Sequence, residues 1–153
     1  MLVLLVALAA ACGGGNDGNP GALYPDRANQ YREDQERRIG GSVMLGGFTT
    51  TVTDVEVVGQ TVTVSVEITN RNDEPQRIDA TQWTLVNPRI QTLDPSSADF
   101  PLTELPGGET VNAEVSFTLD PGETGDVYIQ YKPKILDAAR GIWRYRVGAG
   151  IAS

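Results

Sequence analysis

The chain has 153 residues and a formal net charge of −8, from 20 acidic and 12 basic side chains. This charge argues against general nucleic-acid binding, which needs a cationic surface. Histidine is absent and Cys12 is the only cysteine, which excludes His-assisted nucleophiles, His-based zinc or copper sites and an intramolecular disulfide. The length is sufficient for one domain with a core of its own.

The first stretch, residues 1–11, has the composition of a targeting segment. It reads MLVLLVALAAA and carries no charged side chain. Its apolar run of about 10 residues is too short to span a bilayer, which takes about 20. It fits instead the apolar region of a secretory signal.

Cys12 follows the small residues Ala9, Ala10 and Ala11 directly. This arrangement resembles a bacterial lipobox, in which a signal peptidase cuts before the cysteine and the thiol carries a diacylglycerol. Ala9 stands where such signals usually have leucine. We predict a lipoprotein signal peptide over residues 1–11 and lipidation of Cys12, which would anchor the protein on the extracytoplasmic side of the cell membrane. An ordinary cleaved signal with an incidental cysteine is the alternative.

Residues 12–41 are predicted to form a flexible tether. Glycine and asparagine dominate the part from Gly13 to Gly18, a composition typical of loose linkers. Residues 27–38 read RANQYREDQERR, which is polar nearly all round. We interpret this run as a solvated spacer, disordered or weakly helical. A helix that docks on a partner is the alternative.

The folded domain is predicted to occupy residues 42–149, and its most regular strand is Gln60–Asn70. This strand reads QTVTVSVEITN, in which apolar side chains alternate with polar ones. Successive side chains of a strand point to opposite faces, so the pattern predicts one buried and one solvated face. The buried face needs neighbouring strands and a second layer to cover it.

The other predicted strands are short and regularly spaced. The alternation in Phe48–Val58 changes phase, which predicts a bulge near Thr53–Asp54. Further strands or extended pieces are predicted at Gln76–Ala80, Gln82–Val86, Arg89–Leu93, Glu109–Asp120, Asp126–Lys132 and Ile142–Val147. Turn signals separate them, as is typical of sandwiches and barrels. We predict an all-β, antiparallel immunoglobulin-like β-sandwich of about seven or eight strands, with a barrel as the alternative.

Four stretches of this domain carry a family resemblance: Val62–Pro75, Trp83–Val86, Leu105–Leu119 and Gly125–Pro133. They read VTVSVEITNRNDEP, WTLV, LPGGETVNAEVSFTL and GDVYIQYKP. Together they resemble the bacterial lipoprotein family called "domain of unknown function 4352". The resemblance implies a secreted immunoglobulin-like protein tethered by a lipobox. That family has no established catalytic residues, so the resemblance assigns none here.

The chemistry-bearing motifs of enzymes are missing from the sequence. It has no Gly-x-Ser-x-Gly elbow and no Gly-rich phosphate loop between a strand and a helix. We therefore predict a non-catalytic protein with no cofactor and no metal. Calcium is an alternative, because it is bound by oxygen ligands that acidic loops supply. The candidate loops match no known calcium spacing; they carry Asp94, Ser96, Ser97 and Asp99 in one and Asp120, Glu123 and Asp126 in the other.

Two functions remain open. The first is a surface module that binds another envelope protein or an anionic wall polymer. The second is a carrier or sensor of a small apolar molecule or of calcium. The first is favoured because the predicted inward positions hold enough bulk to fill a core of this size. Those positions include Trp83, Phe117, Tyr131, Trp143 and Tyr145.

The candidate binding face is predicted on the last two strands. Residues 94–126 contain eight acidic side chains and no basic one, whereas residues 132–146 contain five basic side chains and one acidic. If these strands pair, a basic and aromatic outer face forms from Tyr128, Gln130, Lys132, Arg144 and Arg146. Arginine and tyrosine are enriched in interfaces, and a cationic patch favours anionic partners. Pairing of the arginines with acidic neighbours across the sheet is the alternative.

Overall fold

The computed structural model describes residues 34–133 and 139–148. The predicted signal peptide, the predicted lipidation site Cys12 and most of the predicted tether lie outside the described residues. The strands are Gln35–Arg37 (β1), Ser42–Leu45 (β2), Phe48–Val58 (β3), Thr61–Asn70 (β4), Gln76–Arg77 (β5), Trp83–Val86 (β6), Thr92–Leu93 (β7), Ser97–Asp99 (β8), Glu104–Leu105 (β9), Thr110–Thr118 (β10), Gly125–Tyr131 (β11) and Gly141–Val147 (β12). A turn of 3-10 helix at Ala80–Gln82 precedes β6. Within the described residues, no helix has the length and apolar character needed to cross a membrane.

Ten strands form two five-stranded sheets, in the orders β1-β12-β11-β6-β7 and β2-β3-β4-β10-β8, and β5 pairs with β9. The orders β12-β11-β6 and β3-β4-β10-β8 correspond to the G-F-C and A-B-E-D sheets of an immunoglobulin fold. The predicted immunoglobulin-like β-sandwich is therefore confirmed. Seven of the strands have four or more residues, which agrees with the predicted number. One pairing departs from the antiparallel prediction, because β1 runs parallel to β12.

The central strand β4 lies between β3 and β10, and its alternating apolar side chains form the middle of the core. Val64 is opposite Val55 on one side and Val115 on the other. Val64 and Val115 are fully buried. The predicted bulge is confirmed, since the register of β3 against β4 shifts between Val52 and Asp54. This bulge lets the valines on both sides of it point inward.

The second sheet contributes a cluster of aromatic rings to the core. Trp83, Tyr131 and Trp143 are all fully buried. The rings of Trp83 and Tyr131 lie 4.7 Å apart between centroids, and those of Trp83 and Trp143 lie 6.1 Å apart. Trp83 lies on the strand that carries the buried tryptophan of immunoglobulin domains, but it packs on these rings rather than on a disulfide.

Asn70, the last residue of β4, ties two loops together. Its side-chain amide donates to the carbonyl oxygens of Glu74 at 2.8 Å and Leu105 at 2.9 Å, and its oxygen accepts from the backbone N–H of Asn72 at 2.9 Å. The side chain is fully buried. These hydrogen bonds therefore offset the free-energy cost of burying its amide group without partners. The asparagine that ends the valine-rich strand is thus structural.

The predicted start of the domain, Ser42, is too late. β1 lies upstream of it and pairs with β12. The side chain of Gln35 donates to the backbone oxygen of Met44 at 2.9 Å and accepts from its N–H at 3.2 Å, which joins β1 to β2 as well. The spacer interpretation is therefore wrong for residues 35–41. Nothing local marks this strand, because β12, the strand with which it pairs, lies more than 100 residues away in the sequence.

The predicted strand Gln76–Ala80 is also shorter than expected, since only Gln76–Arg77 pairs. Asp79 ends it by capping the 3-10 turn. Its side chain accepts from the N–H of Thr81 at 2.8 Å, and its own N–H donates to the side chain of Gln82 at 3.1 Å. This reciprocal pair is a capping box, which directs the chain out of the sheet.

Candidate binding surface

The candidate binding face lies on the hairpin of β11 and β12. In the antiparallel register of the two strands, Tyr128 is opposite Arg144, and Asp126 is opposite Arg146. The structure thus brings Tyr128, Arg144 and Arg146 together, as predicted. It places the other two predicted residues, Gln130 and Lys132, elsewhere.

Arg146 is engaged in an ion pair. Its Nε donates to Oδ1 of Asp126 at 2.8 Å. This hydrogen bond, together with the charges of Arg146 and Arg144, holds the pKa of Asp126 below its usual value. Asp126 is therefore ionised at neutral pH, and the pair is lost as the pH falls through this lowered pKa. Pairing of an outward arginine with an acidic neighbour is thus correct for Arg146.

Arg144 is in a different state. It is exposed, and no carboxylate of the described part of the chain forms an ion pair with it. Its register partner Tyr128 is half-buried, and burial raises the pKa of that hydroxyl, so Tyr128 is neutral at physiological pH. A guanidinium that forms no ion pair and lies beside an aromatic ring can offer charge, hydrogen-bond donors and apolar surface to one ligand.

The prediction that Gln130 belongs to an exposed face is wrong. Gln130 is only 5% exposed. Its Oε1 accepts from Nη1 of Arg140 at 2.9 Å and lies 3.5 Å from the hydroxyl of Thr84. Its register partner Ile142 is fully buried as well. Strand alternation assigns a side chain to one face of a sheet, but it does not say whether that face is covered.

Lys132 is half-buried just beyond the end of β11. Its backbone N–H donates to the carbonyl oxygen of Gln82 at 2.8 Å. The pairing of β11 with β12 ends at Tyr131 and Gly141, so Lys132 lies beyond the hairpin ladder. It does not lie beside Arg144, and the predicted five-residue face is split.

Residues that the sequence pattern missed complete the basic surface. β1 places Glu36 and Arg37 next to Arg144, and Arg38 follows the end of this strand. The four side chains line a groove of about 510 Å³. Arg37 also holds its own loop, since its Nε donates to the carbonyl oxygen of Ser42 at 3.0 Å. We name the groove and its four lining residues the cationic edge. The only sequence signal was a pair of adjacent arginines in a polar run, which most solvated spacers also have.

A buried ion pair holds the cationic edge against the sheet. Nη2 of Arg140 lies 2.7 Å from Oδ2 of Asp34, and the side chains are 12% and 0% exposed, respectively. The backbone N–H of Arg140 donates to the same carboxylate at 2.8 Å, and the N–H of Gln35 donates to the carbonyl oxygen of Arg140 at 2.8 Å. Charge-assisted bonds of this kind lock the start of β1 to the start of β12.

The opposite side of the sandwich has the opposite charge. The outward side chains of β3, β4, β8 and β10 include no lysine or arginine. Most are threonine or serine, with five carboxylates among them: Asp54, Glu56, Glu67, Asp99 and Glu114. We name this surface the acidic face.

The acidic side chains proposed for calcium are largely engaged elsewhere. Arg89 lies 3.0 Å from Asp120 and 3.7 Å from Glu123, and Asp126 is bound by Arg146. Within residues 34–133 and 139–148, no group of three or more acidic, histidine or cysteine side chains is placed to hold a metal ion. The absence of a metal and of a cofactor stays a prediction.

No protein-family model matches the chain, and no curated protein matches it in sequence. Solved structures are similar in fold. The yjhA protein from Bacillus subtilis is 17% identical with a TM-score of 0.54, over 63% of this chain and 81% of yjhA. The Bacillus subtilis "putative lipoprotein" ycdA is 13% identical with a TM-score of 0.56, over 72% of this chain and 39% of ycdA. The secreted protein MPT63 from Mycobacterium tuberculosis is 14% identical with a TM-score of 0.52, over 73% of this chain and 98% of MPT63. At these identities the likeness shows the fold alone.

Proposed function

We propose that the protein is a lipid-anchored, extracytoplasmic immunoglobulin-like module that binds a component of the cell envelope and catalyses no reaction. The observation that carries this proposal is the filled interior. Trp83, Phe117, Tyr131 and Trp143 are fully buried between the sheets together with the valine rows. A close-packed core of this kind leaves the surface as the place for a ligand.

The extracytoplasmic location rests on the lipobox-like sequence at Cys12. The similarity in fold to ycdA and to the secreted protein MPT63 is consistent with the same location. The resemblance to domain of unknown function 4352 points the same way.

The anchor is tested by the Cys12→Ser variant, expressed in its native host or in a bacterium that lipidates such signals. The wild type should be found in the membrane fraction and should incorporate a fatty acid supplied to the cells, such as an alkyne analogue of palmitate. The variant should incorporate none, and it should leave the membrane fraction or remain as uncut precursor. Mature, membrane-bound Cys12→Ser protein would contradict the lipid anchor.

A carrier of a small apolar molecule is the competing function. Native mass spectrometry of residues 12–153 carrying Cys12→Ser, which has no acyl chain, separates the two, because a carrier purified from cells retains part of its ligand. The surface module should give the mass of the polypeptide alone. A pull-down from native membranes should then use the wild-type protein as bait and Arg144→Glu as the control bait. It should identify an envelope component that only the wild type retains.

A further inference from the structure

The cationic edge concentrates positive charge on an acidic protein. Three of its four lining side chains are arginines, against the single carboxylate of Glu36, while the whole chain has a net charge of −8. Arg38 and Arg144 are exposed, and neither has an ion pair in the described part of the chain. The carboxylate on β11, Asp126, is bound to Arg146. The edge therefore keeps a net positive charge, since three arginines face one carboxylate among its lining side chains.

The position of this edge relative to the membrane anchor is set by the chain itself. Asp34 immediately precedes β1, which forms one side of the groove. Residues 13–33 separate Asp34 from Cys12, and such a stretch spans at most about 75 Å when extended. The tether thus joins the domain beside the arginines. The cationic edge reaches the anchoring membrane without the chain having to pass around the sandwich.

The acidic face is too far away to cancel this charge. The two sheets of a sandwich lie about 10 Å apart, and outward side chains bring the two outer surfaces to about 20 Å. The screening length at physiological ionic strength is about 8 Å. An anionic surface in contact with the cationic edge therefore responds to the arginines, whereas the carboxylates of the acidic face are screened and point away.

We infer that the cationic edge docks on the phosphate groups of anionic membrane lipids and turns the acidic face away from the membrane. This inference rests on the membrane anchor of the proposed function and adds an orientation to it. Guanidinium groups bind phosphate oxygens through paired hydrogen bonds as well as charge. Each cation near an anionic bilayer strengthens binding by about fivefold.

Vesicle co-sedimentation tests the inference with the chain from residue 12 to 153 carrying Cys12→Ser, so that neither the leader nor an acyl chain contributes. Vesicles are made of phosphatidylcholine alone or mixed with phosphatidylglycerol. The protein should bind only the mixed vesicles, and about 0.5 M salt, with a screening length of about 4 Å, should release it. Arg38→Gln/Arg144→Gln should weaken binding by about 30-fold.

The matched control is Arg71→Gln/Arg77→Gln, which removes the same formal charge from exposed positions that do not line the groove; Arg77 pairs with Asp79 at 2.7 Å, whereas Arg71 forms no ion pair within the described residues. It should bind mixed vesicles within about threefold of the wild type, because screening confines the attraction to nearby charges. Equal loss in both double variants, or wild-type binding to phosphatidylcholine alone, would overturn the inference. So would binding of the wild type to lipid-free cell walls but not to vesicles, which would assign the arginines to a wall polymer. None of these results affects the Cys12→Ser fractionation, so failure here is distinguishable from failure of the anchor.

Discussion

The acidic face and the cationic edge differ in how their side chains are held as well as in charge. On the acidic face the outward hydroxyls bond each other across neighbouring strands. Thr63 lies 3.2 Å from Ser116, and Thr69 lies 2.8 Å from Thr110. At the cationic edge, by contrast, a buried ion pair attaches a short parallel strand, and the arginines next to it are left without carboxylate partners.

The contrast shows where this fold leaves groups free to bind. In a regular antiparallel sheet, outward hydroxyls can bond their own cross-strand neighbours. At an edge assembled from segments that are distant in sequence, only some of the side chains have such a cross-strand neighbour. Arginines without ion pairs therefore collect at the edge, whereas the acidic face bonds its hydroxyls to one another and leaves its carboxylates without ion pairs within the described residues.

The largest expected effect on the unfolding free energy tests the alternation of inward and outward side chains along β4. Val64→Lys would place an unpaired ammonium among fully buried valines, and it should cost at least about 5 kcal/mol of unfolding free energy. Thr63→Lys is the matched control, since Thr63 points outward and is opposite Glu56. That change should cost less than about 1 kcal/mol. Urea titration measures both, and equal damage would contradict the register of β4.

The next prediction tests whether the buried ion pair of Asp34 and Arg140 holds the cationic edge against the sheet. Asp34→Ala removes the buried carboxylate that accepts from the guanidinium and the backbone N–H of Arg140, so it should cost about 3–5 kcal/mol. Asp126→Asn is the control, because its pair with Arg146 is largely exposed and such pairs contribute little. Hydrogen exchange should also show faster exchange of the amides of β1 in Asp34→Ala. Unchanged stability and exchange would mean that β1 does not depend on this pair.

The same contrast separates what the sequence could predict from what it could not. The regular sheet was predictable to the level of the bulge at Asp54, because alternation and turn residues are local signals. The pairing of β1 was not, since the segment around Arg37 is polar and aperiodic and its partners lie near Trp143. For the same reason half of the candidate surface was found. Arg144 and Tyr128 follow from the hairpin pattern, whereas Arg38 and the burial of Gln130 depend on contacts between distant segments.

The buried hydroxyl of Tyr131, between the two sheets, should have a smaller, pH-dependent effect on the unfolding free energy. Burial raises the pKa of the Tyr131 hydroxyl well above its ordinary value, opposed only in part by the Thr50 side chain. The folded state then keeps the proton that the unfolded state releases above about pH 10. Stability is full below that pH and is lost as pH rises through the interval between the two pKa values.

Tyr131→Phe should remove this loss. Between about pH 8 and about pH 11, the unfolding free energy of the wild type should fall by about 1.4 kcal/mol more than that of the variant. Both proteins share the titration of every other group, so the difference isolates Tyr131. Parallel curves for the two proteins would mean that the hydroxyl ionises freely in the folded state.

The most direct measurement compares the uncompensated arginine with the paired one in binding to isolated cell envelopes. Residues 12–153 with Cys12→Ser serve as the reference, at low and at moderate salt. Arg144→Gln should weaken binding by about fivefold at low salt, because one cation near an anionic surface contributes that much. Asp126→Asn/Arg146→Gln removes a whole ion pair without changing the net charge, and it should leave binding within about twofold of the reference. Unchanged binding of folded Arg144→Gln, or an equal loss in the pair-deleted variant, would contradict an envelope-binding surface centred on the free arginines.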